Sequence, residues 1–332
     1  MSSPSAAPRM LTFAQAVNEA LAEELRRDAT VFIVGEDVAE AGTPFKVLAG
    51  LVDEFGAERV LDTPISEAGI TGMGVGAAMT GMRPVVDIMF GDFLTLAMDQ
   101  LANQAAKAHY MSGGKLNVPL TLRTTLGATR RSAAQHSQSL QAWVAHVPGL
   151  KVALPATPSD AKGLLKSAIR DDNPVVVIED KMDYGIKGEV PAEEYTLPFG
   201  VADIKRPGED VTIVATSSMV RVAISAAVQL ESDGISAEVI DPRTLSPLDE
   251  ETLVSSATKT RRAIVVDEGH RRFGATAELA AVIAEGAFWN LDAPVRRLGA
   301  LDVPVPFSPA LEDVTVPTPE LVARTAREVC GK

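Results

Sequence analysis

A lone carboxylate, Glu67, follows the apolar run Val60-Leu61 and the helix-disfavouring Pro64, and precedes a stretch to Met82 that carries no charge at all. A carboxyl group so isolated suits general acid–base chemistry, giving or taking a proton at one atom of a bound group. Two plainer readings stand beside it. Glu67, next to Ser66, is also placed to favour the positive end of the helix that the small residues Gly69 to Gly81 predict. Gly72, Gly74 and Gly76 loosely suggest a dinucleotide-binding turn, but the third glycine comes too early and no acidic residue follows at the usual distance of about 20 residues. Each helical glycine costs about 1 kcal/mol relative to alanine, so close approach of another backbone or of a cofactor is expected there.

Other chemistry-bearing residues are sparse. Gly35-Glu36-Asp37 ends an apolar run and reads more simply as a solvated turn than as a pair of catalytic carboxylates. His136 lies in the aperiodic stretch Thr124 to Ser137, behind Arg130-Arg131 and among Gln135, Ser137 and Gln138. This has the character of a functional loop, although a lone loop histidine is commonly a hydrogen-bonded surface residue. His109 and His146 read as structural, and the sequence does not place His270. Asp171-Asp172-Asn173-Pro174 has the composition of a turn. Cys330 is the one cysteine, which excludes a disulfide framework and a cysteine-ligated metal site within one chain and fits a reducing cytoplasm.

These residues need a frame to hold them, and 332 residues, 46% hydrophobic and 23% charged, suffice for two globular domains. A formal charge of -13 argues against nucleic acid or an anionic membrane as partner. Met1 to Arg9 lacks the apolar core of a signal peptide and no later run approaches a bilayer-spanning length, so a soluble cytoplasmic protein is expected. Apolar spacing predicts a helix from Leu11 to Arg27 capped by Thr12, a long helix from Thr95 to Tyr110 with a polar face, and a helix from Ser159 to Arg170 capped by Ser159. Strands are expected at Val31–Val34, Val85–Phe90, Pro119–Arg123, Val152–Pro155 and Val175–Ile178. A Pro-, Gly- and Glu-rich stretch, 185–200, reads as a linker, after which strands at Val211, Ala237, Ala263 and Val295 alternate with helices. The fold class is therefore α/β, two doubly wound domains with mostly parallel sheets, over 1–184 and 201–332.

Taken in order, Gly35-Glu36-Asp37, Asp62 to Gly76, Asp99-Gln100, Tyr110 to Gly114, Gln135 to Gln138, Pro148 to Val152, Asp160 to Leu165, Ile169 to Pro174 and Asp302 to Glu312 resemble the β subunit of the thiamine-diphosphate-dependent first component of 2-oxo acid dehydrogenase complexes, in the transketolase superfamily. The resemblance implies a transketolase-like pyrimidine-binding domain followed by a C-terminal transketolase-type domain. It makes Glu67 the partner of the cofactor's aminopyrimidine ring rather than a cap, and puts His136 at the active-site entrance where a lipoyl arm arrives. Ile65, Met89 and Phe93 match pocket positions, the last two where some members have Gln and Tyr. Leu120, Ala168, Asp171 and Asn173 match positions that bind a structural cation, K or Mg, in some relatives.

The same resemblance implies partners. The superfamily holds the diphosphate and its divalent cation, Mg, through a Gly-Asp-Gly segment that this sequence lacks, Gly91-Asp92-Phe93 being the nearest approach. An α subunit is expected to supply it in a heterotetramer of two α and two β chains, with a lipoyl-bearing acyltransferase as the next component. Arg123-Thr124-Thr125 departs from the pyruvate-type Arg-Gly-Pro, and Val303 to Pro309 looks like the acetoin-cleaving branch. An acetoin or pyruvate substrate is expected first and a branched-chain 2-oxo acid third. A scaffold that kept the fold and lost the chemistry is the alternative of another class, and a one-chain synthase is weaker.

Overall fold

The computed structural model describes residues 9–332; the part of the Met1 to Arg9 stretch that precedes Arg9 lies outside them. Contacts divide the chain into two compact units, residues 1–126 with 143–199, and residues 127–142 with 200–332.

In the first unit six parallel strands lie side by side in the order Lys151–Ala153, Val175–Asp180, Thr121–Leu126, Arg83–Ile88, Val31–Gly35 and Val60–Asp62. Alternation along a strand sends neighbours to opposite faces. Val85 joins the core under the helices Phe13–Arg27 and Pro158–Arg170, whereas Val86 faces Gly74 on the helix Glu67–Met79. Helices thus cover both faces, as a parallel sheet requires. Thr12 caps Phe13–Arg27 through a reciprocal pair, its Oγ1 accepting from Gln15 N at 3.1 Å and its own N–H donating to Gln15 Oε1 at 2.9 Å.

Three sequence expectations shift locally. The helix expected from Ser159 starts at Pro158 and is capped by Thr157, whose Oγ1 accepts from Asp160 N; proline at the first helical position needs no N–H partner there. The long helix expected from Thr95 to Tyr110 is continuous in path but widens to a π-helix over Asp99–Ala105. Within 185–200, Lys187–Val190 forms a strand antiparallel to Arg9–Thr12 and Leu197 N donates to Gly163 O at 3.2 Å, so this stretch is bonded to the first unit.

The second unit has a five-stranded sheet in the order Arg296–Ala300, Ala263–His270, Val211–Ala215, Ala237–Asp241 and Asp203–Arg206, parallel except for the last. Leu253, Ala257, Leu279 and Ile283 bring the helices Glu250–Thr260 and Ala275–Ala287 onto Val214, Ile240 and Val265. Helices Met219–Glu231 and Pro319–Cys330 pack against each other in the same unit. No helix among the described residues is long and apolar enough to cross a membrane.

Candidate active site

The parallel strands of the first unit end where its polar side chains gather, the usual place for a site in such a sheet. After Val60–Asp62 the chain turns through Pro64 and enters the helix at Glu67. Ser66 precedes it with an extended backbone and no side-chain cap, so the first N–H groups of the helix are left to the field around Glu67. Glu67 is 8% exposed, and its carboxylate makes no hydrogen bond among the described residues. One turn on, Thr71 Oγ1 is buried and equally unpartnered. Buried polar atoms are nearly always satisfied, so the orphaned Thr71 Oγ1 beside a nearly buried carboxylate on the same helical face marks a place suited to a ligand or a partner.

Glu36, at the end of Val31–Gly35, belongs with them. Burial lifts its carboxyl above the ordinary range, and the charges of Asp37 and Glu67 add to the effect. The Gly35-Glu36-Asp37 turn is therefore part of an acidic cluster rather than merely a solvated bend, a proximity that a separation of 31 positions from Glu67 hides in the sequence.

Ile65 is 71% exposed, standing free at the mouth of the turn. Met89 and Phe93 lie just after the strand Arg83–Ile88. Met89 O accepts from Thr125 Oγ1 at 3.0 Å, and Phe93 meets Phe90 edge to face with centroids 6.1 Å apart. From Phe90 the aromatic contacts run on to Phe45 at 5.6 Å and Tyr184 at 5.2 Å. Tyr184 in turn receives Arg123 Nη2 at 3.1 Å. Arg123 is 3% exposed and bonds both oxygens of Glu179 at 2.7 Å, as well as Asp87 on the next strand. This buried charged group is not legible in the sequence, since its members come from three separate strands and a later turn.

On the helix Glu67–Met79, a Cβ at Gly74 would stand 2.4 Å from Val86 Cγ2, which explains that glycine by close packing on the sheet. Gly76 meets nothing within 4 Å; with Gly69, Met73 and Met79 it lies on an exposed face of this chain, where no close approach accounts for it.

His136 falls in the segment 127–142 of the second unit, its N–H 3.4 Å from Ala133 O. Of the other histidines, His109 Nδ1 bonds Leu116 O at 2.8 Å and His270 Nδ1 bonds Leu301 O at 2.7 Å.

The four residues matched to a cation are already busy. Leu120 O accepts from Val175 N at 2.9 Å and Ala168 O from Asp171 N at 3.2 Å, while Asp171 holds the N–H of Asn173 at 2.9 Å and the ammonium of Lys151. Arg83 donates to Asp171 O at 2.9 Å. No cluster of three or more His, Cys, Asp or Glu suited to a metal occurs among the described residues.

Comparison with known proteins adds the lineage. Residues 9–187 match the transketolase pyrimidine-binding domain and residues 200–322 the transketolase C-terminal domain. The chain is 49% identical to the β subunit of acetoin:2,6-dichlorophenolindophenol oxidoreductase from Bacillus subtilis, over 98% of each chain. It is 44% identical to the 2-oxoisovalerate dehydrogenase β subunit of the same organism, over 96% of this chain and 98% of that one. It is 47% identical to a mitochondrial pyruvate dehydrogenase E1 component subunit beta-1 of Oryza sativa, over 98% and 88%. This chain belongs to the transketolase-type dehydrogenase β-subunit family. Among solved structures, a split-gene transketolase, an inactive beta4 tetramer, superposes with a TM-score of 0.79 over 97% of this chain and 98% of that one; at 23% identity it speaks for the fold alone. In this β-subunit family setting the three relatives differ in substrate, while Glu67 and its unpartnered carboxylate stand in the domain that carries the family's pyrimidine-binding match.

Proposed function

We propose that this chain is the β subunit of a thiamine-diphosphate-dependent 2-oxo acid or acetoin dehydrogenase first component, half of an oxidoreductase completed by an α subunit. The observation that carries this reading is Glu67, a buried carboxylate at a helix start with no hydrogen-bond partner of its own. It fits a heteroaromatic ring nitrogen as a proton partner. Thiamine diphosphate, when bound, supplies an acidic thiazolium carbon that attacks a carbonyl and takes up the electrons of the cleaved bond. Glu67 would hold or share the proton at the pyrimidine nitrogen, Phe93 and Met89 would present apolar surface to the ring, and the backbone at Ile65 would border it. Glu36 keeps the surroundings of Glu67 negative.

The diphosphate and its Mg are assigned to the α subunit, because Gly-Asp-Gly is absent here. Two α and two β chains would form the working unit, serving a lipoyl-bearing acyltransferase in the cytoplasm. His136 would give a proton to a dithiolane sulfur at the entrance. For the structural cation, the neutral carbonyls of Leu120 and Ala168 keep a lone pair each, and Asp171 is already matched by Lys151. That set suits weakly charged K better than Mg, which demands a nearly ideal octahedron. Acetoin stands first as substrate and pyruvate second, supported by Val303 to Pro309 and the 49% relative.

The test is Glu67→Gln in the complex assembled with its α subunit. Turnover should fall on the order of 10²- to 10⁴-fold, the range of acid–base groups, while assembly and cofactor affinity change less. Hydrogen–deuterium exchange at the thiazolium carbon reads the same step directly, and wild-type exchange in an assembled variant would remove Glu67 from it. Side-by-side assays with acetoin, pyruvate and branched-chain 2-oxo acids decide the substrate.

A further inference from the structure

The segment that carries His136 has an unusual backbone. Gly127 (φ +105°), Thr129 (+69°), Arg131 (+62°) and Ala133 (+60°) lie in the left-handed region, while Ala128, Arg130 and Ser132 between them do not. Left-handed backbone is disfavoured for residues with a Cβ, most of all for a β-branched one such as Thr129, and persists only where surroundings enforce it. Alternating the hand also turns successive N–H groups toward one side, forming a concavity that receives anionic oxygens.

Carboxylates of the same unit fill that concavity. Glu268, 7% exposed at the end of Ala263–His270, accepts the N–H of Ala128 and the hydroxyl of Ser218 at 3.1 Å. Glu312, fully buried on the short helix Pro309–Glu312, takes the N–H of Arg131 on both oxygens at 3.3 and 3.2 Å and the guanidinium Nη1 at 2.6 Å. Asp313 meets the same guanidinium at 2.7 Å. At the far end of the segment, Gln141 Nε2 donates to both oxygens of buried Asp267 at 2.9 and 2.8 Å. Along the chain His136 lies between these two anchorages.

We infer that Glu312 is a positioning residue for His136: its carboxylate holds Arg131 by backbone and side chain at once, and so locks the alternating conformation that fixes where the imidazole stands. This rests on the reading of His136 as the proton donor to the lipoyl group. Charge-assisted bonds to a buried carboxylate are the strong kind, and two of them converge on one residue of a strained strap. Released, the strap relaxes to ordinary backbone and His136 loses its fixed place, with no change at Glu67.

Trypsin, which cuts after Arg130 and Arg131, reads the strap itself. Glu312→Gln should raise cleavage there about tenfold in the folded chain, since cleavage follows the population of the opened form, with other sites unchanged and the unfolding midpoint lowered only by the matching small loss of stability. Arg131→Ala, made on a half-exposed side chain and read at Arg130, should do the same to a smaller extent and serves if Glu312→Gln folds poorly. In the complex with the α subunit, Glu312→Gln should lower kcat and kcat/KM for reductive transfer to lipoyl domains while kcat with an artificial electron acceptor stays near wild type. Wild-type cleavage in both folded variants overturns the anchorage. Faster cleavage with unchanged kcat/KM for lipoyl domains upholds the anchorage and removes His136 from lipoyl transfer.

Discussion

Arg123 and Asp87 face each other as direct partners on adjacent parallel strands, and their side chains form an ion pair at 3% and 5% exposure. Glu179, fully buried, completes the group from the strand on the other side. Burial pushes the Asp87 carboxyl up, and the pull of Arg123 opposes it. Arg123→Met would leave two carboxylates facing each other in the core. A loss of about 3–5 kcal/mol in urea unfolding is expected, the cost of stranding buried charge. A loss below about 1 kcal/mol, the value of exposed ion pairs, would show that water reaches the group.

Glu36 gives a pH signature. Its folded carboxyl is raised above the ordinary value by burial first, then by Asp37 and Glu67, so the folded state binds the proton more tightly than the unfolded one. The associated stability is full below the unfolded pKa of about 4.5 and is lost as pH rises through the folded one. Glu36→Gln should therefore melt progressively higher than wild type as pH climbs through that window. Parallel melting curves across the series would place Glu36 in open solvent.

Two glycines two positions apart should respond with opposite sign. Gly74→Ala drives a Cβ to 2.4 Å from Val86 Cγ2, a stiff β-branched atom, and should destabilise by about 1–3 kcal/mol. Gly76→Ala meets nothing within 4 Å and should stabilise the isolated chain by about 0.5–1 kcal/mol through helix propensity. Denaturant midpoints of the two variants, measured together, make the comparison.

His136→Ala should depress reductive transfer to lipoyl domains more than turnover with an artificial acceptor. Imidazole can carry and release a proton at either ring nitrogen, which suits such a donor. Equal losses in both assays would assign His136 a structural part only.

If Leu120 and Ala168 hold K through their free carbonyl lone pairs, the chain should melt a few degrees higher in potassium chloride than in choline chloride of the same ionic strength, by linkage of binding to folding. Identical melting removes the ion.

What the sequence made legible follows from how local each signal is. Glu67 stood out because nothing charged follows it before Arg83, and Thr12 because cap and Gln15 partner lie three residues apart. Thr157 and Ser159 are both good cap types, and it is Pro158, fitted to the first helical position, that decides for Thr157. The π-helical turn over Asp99–Ala105 leaves no period to read. Arg123, Asp87 and Glu179 are 36 and 56 positions apart and meet only through strand pairing; Arg131 and Glu312, 181 apart, are farther beyond any local rule.

The ribbon formed by Arg9–Thr12 and Lys187–Val190 sets the first unit's outer strands against each other, Arg9 opposite Val190 and Thr12 opposite Lys187. Paired strands lie about 4.8 Å apart, so the ribbon clasps the start of the unit's first segment to its second, while the chain between them leaves at Leu126 and returns at Trp143. Clasped in this way, the two segments 9–126 and 143–199 stay in register with each other even though the excursion 127–142 separates them along the chain.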